Sequence, residues 1–475
     1  MASLISKIAK NTAIIVAGNI LFRLISLVVT IYLARYLGVV DFGKFSFLFA
    51  YLSFFVVITD FGLQTVLIRE ISQNKSRTRE FIGNALIFNL ILSIISFILA
   101  ISVISLMQYP EDTTLFIYII AFSIFFISYS GIYTSIFRAN LEMKYNLYSK
   151  IAYRLFSAIL IFAVIFNEGS LLTIVTIMLA AEVLKTALDY HFSKKFVRPS
   201  YNIDFKLWKY LLKESLPIAI TGIFAAIYHN IDILMLSIMK GDESVGYYTS
   251  ALKLVLPLGF IPSAMMMSLF PILSSYATQP KEKLSKIYSL SLKYTLLFAL
   301  PIGIGVTFLA EEIIVTIFGD EFALASSALM ILIWAQICIF VNTVNADTLV
   351  SLHEQKTVTK IVVISAFLNV LLNLIVIPIY DFDGAAIATV ITEGIIIIYL
   401  MIIVLRKLEV DLLDKNFTKI FITNLIFLAY LLICIPVLYL PLLIMGAVIL
   451  YPTTYYLLGG VNEDDKKIIK KLITR

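Results

Sequence analysis

The chain is dominated by long apolar segments, and these fix the kind of fold it can adopt. Fourteen such segments can be marked, starting with 11–34 and 44–67 and ending with 418–438 and 440–458. A membrane-spanning helix needs about 20 mostly apolar residues, and lipid leaves the backbone no partner outside the segment. With 60% hydrophobic and 14% charged residues, a soluble fold could not cover its surface with polar groups. We therefore predict an all-α integral membrane protein with about 14 transmembrane helices.

A short joint between apolar segments occurs twice, with the same pair of glycines. Gly38 and Gly43 lie between the first two segments, and Gly241 and Gly246 lie between the seventh and eighth. Duplicated helical halves are typical of secondary transporters, which bind substrate between the halves. This predicts two pseudo-symmetric six-helix lobes and two C-terminal helices. Their bounds are an N-lobe at 1–193, a cytoplasmic amphipathic linker at 194–215, a C-lobe at 216–406, and helices 13 and 14 with a basic tail at 407–475.

Lys and Arg residues set the expected orientation, because they accumulate in cytoplasmic loops. With the N-terminus inside, 29 of the 37 Lys and Arg residues fall on the inner side. Only Arg35, Lys44 and Lys240 fall on the outer side. This predicts cytoplasmic N- and C-termini, two parallel repeats, and both glycine joints on the outer face. The net charge of +6 is then explained by topology, and no nucleic-acid partner is expected.

Arg23 is the most informative charged residue, since it lies near the middle of the first segment. At the centre of a bilayer an arginine costs about 2.5–3.5 kcal/mol on insertion scales, so it must face protein or water. Asn19, Ser26 and Thr30 share its helix face by spacing. We predict that Arg23, Asn19 and Ser26 line a polar cavity. The alternative is a packing stripe in which Arg23 pairs with a buried carboxylate.

Four further cations lie inside predicted segments. Lys253 and Lys293 are about three turns from a segment end, so lining a cavity and reaching the interface are equally open. Arg154 and Lys185 lie nearer the cytoplasmic end, which favours side chains extended to the interface. Lys185 also has Glu182 at i−3, which predicts a self-neutralised pair. Lys253, Lys293 and Arg154 are included among the candidate substrate-binding residues.

Two buried acids and a histidine are candidates for ion coupling. Asp232 follows His229 by three residues, and both share a helix face with Gly222 and Ala225. Burial raises the proton affinity of a carboxylate, and histidine titrates near neutral pH, so the pair could exchange protons. The alternative is a static ion pair between Asp232 and a cation on another helix. Glu393 is embedded similarly in the twelfth segment.

Motifs for enzymatic chemistry are missing from the sequence. There is no phosphate-binding glycine loop, metal-ligand cluster or nucleophile triad, so neither an enzyme nor a cofactor is expected. Cys338 and Cys434 both fall inside segments and are expected to be core thiols. A membrane glycan polymerase or ligase would need a large outer loop, and every predicted outer loop is short.

Several stretches resemble one family. They are Leu33-Ala-Arg-Tyr-Leu-Gly38, Thr59-Asp-Phe-Gly62, and Asn230-Ile-Asp-Ile through Gly241 to Ala251. Together they resemble the polysaccharide transporter family of lipid-linked oligosaccharide flippases, within the multidrug/oligosaccharidyl-lipid/polysaccharide exporter superfamily. The likeness extends over essentially the whole chain, although it does not specify the glycan.

The resemblance implies two six-helix lobes around a central cavity. It implies translocation of a polyprenyl-diphosphate-linked oligosaccharide, such as an O-antigen-type repeat unit, from the cytoplasmic to the outer leaflet. Alternating access driven by an ion gradient or the membrane potential is expected. The expected location is the plasma membrane, with the protein acting as a monomer, alongside glycan-assembly proteins. The alternative is a multidrug or toxin antiporter of the same superfamily, although the basic Arg23 argues against a cavity built for cationic drugs.

Overall fold

The computed structural model describes the backbone of residues 2–277, 279, 281–409 and 415–461. Side chains are described within these ranges at 18 and from 21 onward, except at 415 and 416. The secondary structure within those ranges is helical, with no strand. The longer helices are α1 (Ala2–Asp60), α2 (Leu63–Gln73), α3 (Thr78–Leu106), α4 (Glu111–Ala121), α5 (Ser123–Ala139), α6 (Lys144–Phe166), α7 (Leu171–Ser193), α8 (Phe205–Lys240), α9 (Asp242–Val255), α10 (Phe260–Tyr276), α11 (Lys281–Phe308), α12 (Ala310–Phe318), α13 (Ala325–Ser351), α14 (Gln355–Leu408), α15 (Lys415–Cys434) and α16 (Leu440–Leu457).

Twelve helical stretches of the described chain are long and apolar enough to cross a membrane. Two of them contain a non-helical residue, namely Gly38 in α1 and Asp381 in α14. If the limbs on either side of these kinks are taken separately, the total is fourteen. The predicted all-α, multi-span fold is therefore confirmed, and the predicted number of about 14 is consistent with it.

Glycine and proline produce the breaks that the sequence indicated. Gly38 has φ +70°, a conformation that glycine adopts without a steric penalty. In the predicted eighth segment, a 3₁₀ turn at Leu256–Gly259 containing Pro257 separates α9 from α10. At the end of the second limb of α1, Phe61 and Gly62 both have positive φ and redirect the chain into α2. The Asp60-Phe61-Gly62 motif is thus a helix-terminating turn.

Two further sequence parallels are predicted between the repeats, Glu142 with Glu354 and Glu168 with Asp383, and they fall at or near helix ends and kinks. Leu141 and His353 both have positive φ, and the residue after each donates a backbone hydrogen bond to the carbonyl five positions earlier. The predicted correspondence of Glu142 with Glu354 is therefore also a correspondence of local geometry. The pairing of Glu168 with Asp383 needs correction. Positive φ occurs at Glu168 and at Asp381, two residues before the predicted partner.

Contacts group the chain into two compact units, Met1–Thr249 and Ser250–Arg475. The first unit contains α1 to α8 and the first two turns of α9, and has an aromatic core around Phe47 and Tyr51. The second unit is built around α13, which packs most extensively against α14. Helix α8 belongs to the first unit, although the repeat pattern assigns most of it to the C-lobe. The lobe bounds drawn from the sequence remain a prediction, because contacts do not test duplication.

The linker differs from the predicted separate interfacial helix. Its helical part is the first three turns of α8, which continues through Pro217 to Lys240. The helix begins where the Asp204 carboxylate accepts hydrogen bonds from the backbone N–H groups of Lys206 and Leu207, at 2.8 and 3.3 Å. Such capping compensates amide groups that have no partner inside the helix.

Asn84, on α3, fastens the linker to the first unit. Its side chain is fully buried and donates to the Asn202 carbonyl at 3.0 Å. Its Oδ1 accepts from the Asp204 N–H at 2.8 Å and from Trp208 Nε1 at 3.0 Å. The neighbouring Gly83 lets the linker approach closely, since a Cβ there would lie 1.7 Å from the Ser200 carbonyl oxygen.

Asn84→Ala is expected to destabilise the first unit by about 1–3 kcal/mol, because three part-buried hydrogen bonds to the linker are lost. Thermal unfolding in detergent and limited proteolysis of the 194–204 segment would measure the effect. Asn167→Ala is the matched control, since Asn167 is exposed and bonds only the Ala163 carbonyl one turn away. Equal melting temperatures for the two variants would contradict this role of Asn84.

Candidate functional site

A cavity of about 520 Å³ lies inside the first unit. Its walls come from the second limb of α1 and from α4, α5, α6, α7 and α8. Most of the wall is apolar, as expected for a site that takes an amphipathic ligand. The polar residues of the wall are Ser53, Ser123, Tyr153, Glu182, His229 and Asn230.

The predicted polar face of α8 contributes one wall of this cavity. Gly222, Ala225 and His229 all line it, as their spacing indicated. Asp232 does not. It is buried, and its Oδ2 accepts a hydrogen bond from the Tyr248 hydroxyl at 2.9 Å. His229 thus lines the cavity, whereas Asp232, close enough to His229 to interact with it electrostatically, lies within the packing of α8 and α9.

Glu182 lines the cavity, although the sequence predicted for it only an ion pair with Lys185. Lys185 does contact it, with Nζ and Oε2 3.3 Å apart, so the predicted i, i+3 pair is confirmed. Glu182 nevertheless lines the cavity together with Tyr153. A carboxylate and an imidazole therefore share one cavity. The signal available in the sequence was an acid in the middle of an apolar helix, which its neighbour Lys185 obscured.

Arg154 follows Tyr153 directly on α6, although it is not itself among the residues that line the cavity. Its side chain is only 8% exposed, so it does not extend to the interface as predicted. Its Nε has no hydrogen-bond partner among the described residues, and Tyr153 rather than a carboxylate is the titratable group that interacts with it. A buried cation without a counter-ion is costly, because burial removes its hydration. Arg154 is therefore the described cation best placed to receive an anion from outside the chain.

Arg154 also joins α6 to α1 near the first predicted cation. Its guanidinium lies over the Phe22 ring, 5.8 Å from the centroid, so it is next to the turn that contains Arg23. Arg23 is exposed at the surface of the first unit, and Ser26 is half-buried. Neither is among the residues lining the cavity described above. The Asn19 side chain lies outside the described residues. The cavity role of Arg23, Asn19 and Ser26 stays a prediction.

These groups lie at a common depth. At a rise of about 1.5 Å per residue, Arg23 is about 22 Å from the kink at Gly38, and Arg154 about 18 Å from the end of α6 at Phe166. His229 is about 18 Å before Gly241, and Glu182 about 17 Å from the start of α7. Each distance is measured from a helix end predicted to be on the outer side. These four groups therefore form a layer deep within the predicted membrane-spanning region, called the charged layer below.

The other predicted site residues belong to the second unit and have partners there. Lys293 is 3% exposed and donates to the Gly460 carbonyl at 3.2 Å, with Tyr455 nearby. Glu393 is also buried, and its Oε2 accepts from Asn342 Nδ2 at 2.7 Å. Lys253 is exposed. These contacts favour structural roles for Lys293 and Glu393. No cluster of metal-ligating side chains occurs among the described residues.

Comparison with known proteins identifies the family. A family model described as polysaccharide biosynthesis protein matches residues 8–277, more than half of the chain. The chain belongs to this family. A second model, described as MatE, matches residues 217–375. The resemblance noted in the sequence is therefore confirmed, and with it a membrane transporter of polysaccharide biosynthesis that is not an enzyme.

Individual relatives are similar over different shares of the chain. A probable low-salt glycan biosynthesis flippase of Haloferax volcanii is 27% identical over 204 residues, or 43% of this chain and 42% of that protein, so the alignment spans less than half of that relative. A putative O-antigen transporter of Shigella dysenteriae is 21% identical over 375 residues, covering 78% of this chain and 93% of that one. The lipid II flippase MurJ in an inward closed conformation has the same fold, with a TM-score of 0.79, 17% identity, and 98% of this chain and 100% of that chain covered.

Proposed function

We propose that this protein is a flippase for a polyprenyl-diphosphate-linked oligosaccharide, which it moves from the cytoplasmic to the outer leaflet of the plasma membrane. The observation that carries the proposal is Arg154, a buried guanidinium without a described counter-ion that follows the cavity residue Tyr153 on α6. A guanidinium binds phosphate oxygens through two parallel N–H donors, and a diphosphate would supply the missing charge. Arg23, on the adjoining turn of α1, provides a second cation for the same diphosphate.

The cavity of the first unit suits the glycan. Its polar wall offers hydroxyl, carboxylate, imidazole and amide groups, which together can donate to and accept from sugar hydroxyls. Its apolar wall can contact the faces of the sugar rings. The lipid chain can remain in the bilayer while the headgroup crosses, so the cavity need not hold the whole molecule. Membership of the polysaccharide biosynthesis family and the flippase and transporter relatives support this substrate class.

Energy for transport is assigned to an ion gradient or the membrane potential. His229 lines the cavity and shares it with Glu182, so protonation there would change the charge that the diphosphate meets. This moves the coupling role predicted for Asp232 and Glu393 towards His229 and Glu182. Asp232 then supports α8 through Tyr248.

A multidrug or toxin antiporter is the second candidate. The MatE match over residues 217–375 favours it, as does the carboxylate of Glu182 in a largely apolar cavity. The two candidates differ in the charge of the ligand. A flippase site needs an anion to neutralise Arg154, whereas an organic cation would be repelled by it and attracted by Glu182.

Ligand-induced stabilisation tests the choice. We expect a short-chain polyprenyl diphosphate to raise the melting temperature of the purified protein, because a ligand that binds only the folded state stabilises it. The corresponding polyprenol is expected to raise it less, and Arg154→Ala to abolish the difference. A shift produced by an organic cation and by no diphosphate would favour the antiporter instead.

A further inference from the structure

The two glycine joints share one backbone conformation. Gly38 has φ +70° and ψ −179°, and Gly241 has φ +92° and ψ −174°. In each case a helix starts at the next residue. Gly38 and Gly241 are 203 positions apart, and so are Gly43 and Gly246. The duplicated sequence is therefore a duplicated conformation in which the first glycine makes the turn.

The second glycine of each joint has a different reason to be glycine. Neither Gly43 nor Gly246 has positive φ, so the backbone does not require glycine there. Instead, each faces the other joint. A Cβ on Gly43 would lie 1.8 Å from the Asp242 carbonyl oxygen, and a Cβ on Gly246 would lie 2.1 Å from the Val39 carbonyl oxygen. Val39 and Asp242 are also 203 positions apart, so the contact is reciprocal.

The helices that start at Val39 and Asp242 therefore cross at their first turns, backbone against backbone, around a local two-fold axis. The whole crossing lies within the first unit. A self-complementary contact of this kind is the intramolecular counterpart of an isologous dimer interface. Glycine in a helix costs about 1 kcal/mol relative to alanine, so the close approach explains both residues better than helix formation does.

Several charged side chains lie near the first turns of the two crossing helices. Both helices direct their positive N-terminal ends to this point, where acidic groups are favourable. Asp242 and Glu243 lie in the first turn of α9, and Asp41 lies in the first turn of the second limb of α1. Lys44 pairs with Asp112 of α4 and lies 3.8 Å from Asp41. Apolar side chains beside the two glycines, among them Phe42 and Val245, are buried, so the crossing is a packed contact as well as a close approach of two backbones.

We propose that this glycine crossing is the outer closure of the transport route. It holds the described state shut on the predicted outer face, and it separates when the glycan is released there. The proposal rests on the proposed function for its direction of transport. Within that layer, Arg23 and His229 lie about 22 and 18 Å from Gly38 and Gly241, as counted along their helices. Opening the crossing would therefore connect that layer with the outer side.

Thiol labelling of the cavity tests this closure directly. Ser53 lines the cavity, so Ser53→Cys, with Cys338 and Cys434 replaced by serine, reports access by a membrane-impermeant maleimide. We expect Gly43→Ala and Gly246→Ala each to raise the labelling rate from the outer side several-fold. Gly394→Ala is the matched control, since a Cβ there meets nothing within 4 Å. Folded variants labelled at the control rate would overturn the proposal, as would faster labelling from the inner side alone.

A tether across the crossing gives the opposite change and does not depend on tolerating an added Cβ. Lys44→Cys with Asp242→Cys, joined by a short bis-methanethiosulfonate, is expected to stop glycan flipping, and reduction is expected to restore it. Undiminished flipping by the cross-linked protein would overturn the closure. If the protein flips no lipid-linked glycan at all, the proposed function fails, while the labelling rates still decide whether the crossing closes the cavity.

Discussion

Arg154→Ala is expected to slow the flipping of a diphosphate-linked glycan by about 10- to 100-fold. A hydrogen bond to a charged group contributes about 1.5–3 kcal/mol, and each 1.4 kcal/mol is a factor of ten. The measurement is the initial flipping rate in vesicles containing equal amounts of inserted protein. Arg154→Lys is expected to recover only part of the rate, because an ammonium keeps the charge but lacks the two-pronged donor geometry.

The melting temperature of Arg154→Ala distinguishes substrate binding from a structural role. The side chain is buried and its Nε has no described partner, so its removal relieves desolvation and should leave the melting temperature unchanged or raised. Lys195→Ala is the control, since Lys195 is exposed. A lower melting temperature for Arg154→Ala, with flipping lost only in proportion to unfolded protein, would contradict a substrate-binding role.

His229→Gln is expected to abolish the dependence of flipping on an imposed proton gradient. Glutamine keeps a hydrogen-bonding side chain in the cavity but cannot bind a proton at physiological pH. Flipping down a substrate gradient should persist in this variant, because the guanidinium groups are unchanged. The measurement compares flipping rates with and without a pH difference across the vesicle membrane.

Two further substitutions separate coupling from packing. His191→Gln is the matched control, since His191 is an exposed histidine near the end of α7. Asp232→Asn is expected to lower the melting temperature and to leave the gradient dependence of flipping unchanged. The reason is that the Asp232 carboxylate accepts a hydrogen bond from the buried Tyr248 hydroxyl. If His229→Gln retains the full gradient dependence and Asp232→Asn loses it, the coupling role returns to Asp232.

Much of the fold was readable from the sequence, because lipid permits few solutions. Long apolar segments had to be helices, and the glycine joint repeated in sequence repeats in conformation at Gly38 and Gly241. Pro257 marked a real helix break. The linker was harder to predict, because an amphipathic stretch does not reveal whether it continues into the next helix. Asn84, which fixes the linker, is an ordinary polar residue in the sequence.

The site was less predictable, because its members depend on which helices become neighbours. Periodicity correctly placed Gly222, Ala225 and His229 on one face of α8. It did not predict that the cavity wall ends before Asp232, which is buried one turn further along. The depth of a side chain in its segment suggested that Arg154 reaches the interface, whereas packing of α6 on Phe22 buries it. The sequence also did not reveal the buried contacts of Lys293 with the Gly460 carbonyl and of Glu393 with Asn342, and the roles predicted for both residues stay predictions.

The most direct test of the account is a flipping assay with purified protein in proteoliposomes. The substrate is a fluorescent polyprenyl-diphosphate oligosaccharide, and an impermeant quencher reports the leaflet that holds its headgroup. The account predicts protein-dependent exchange between leaflets that Arg154→Ala largely removes, with no uptake of an organic cation. Exchange no faster than in protein-free vesicles, together with proton-driven accumulation of the organic cation, would contradict it.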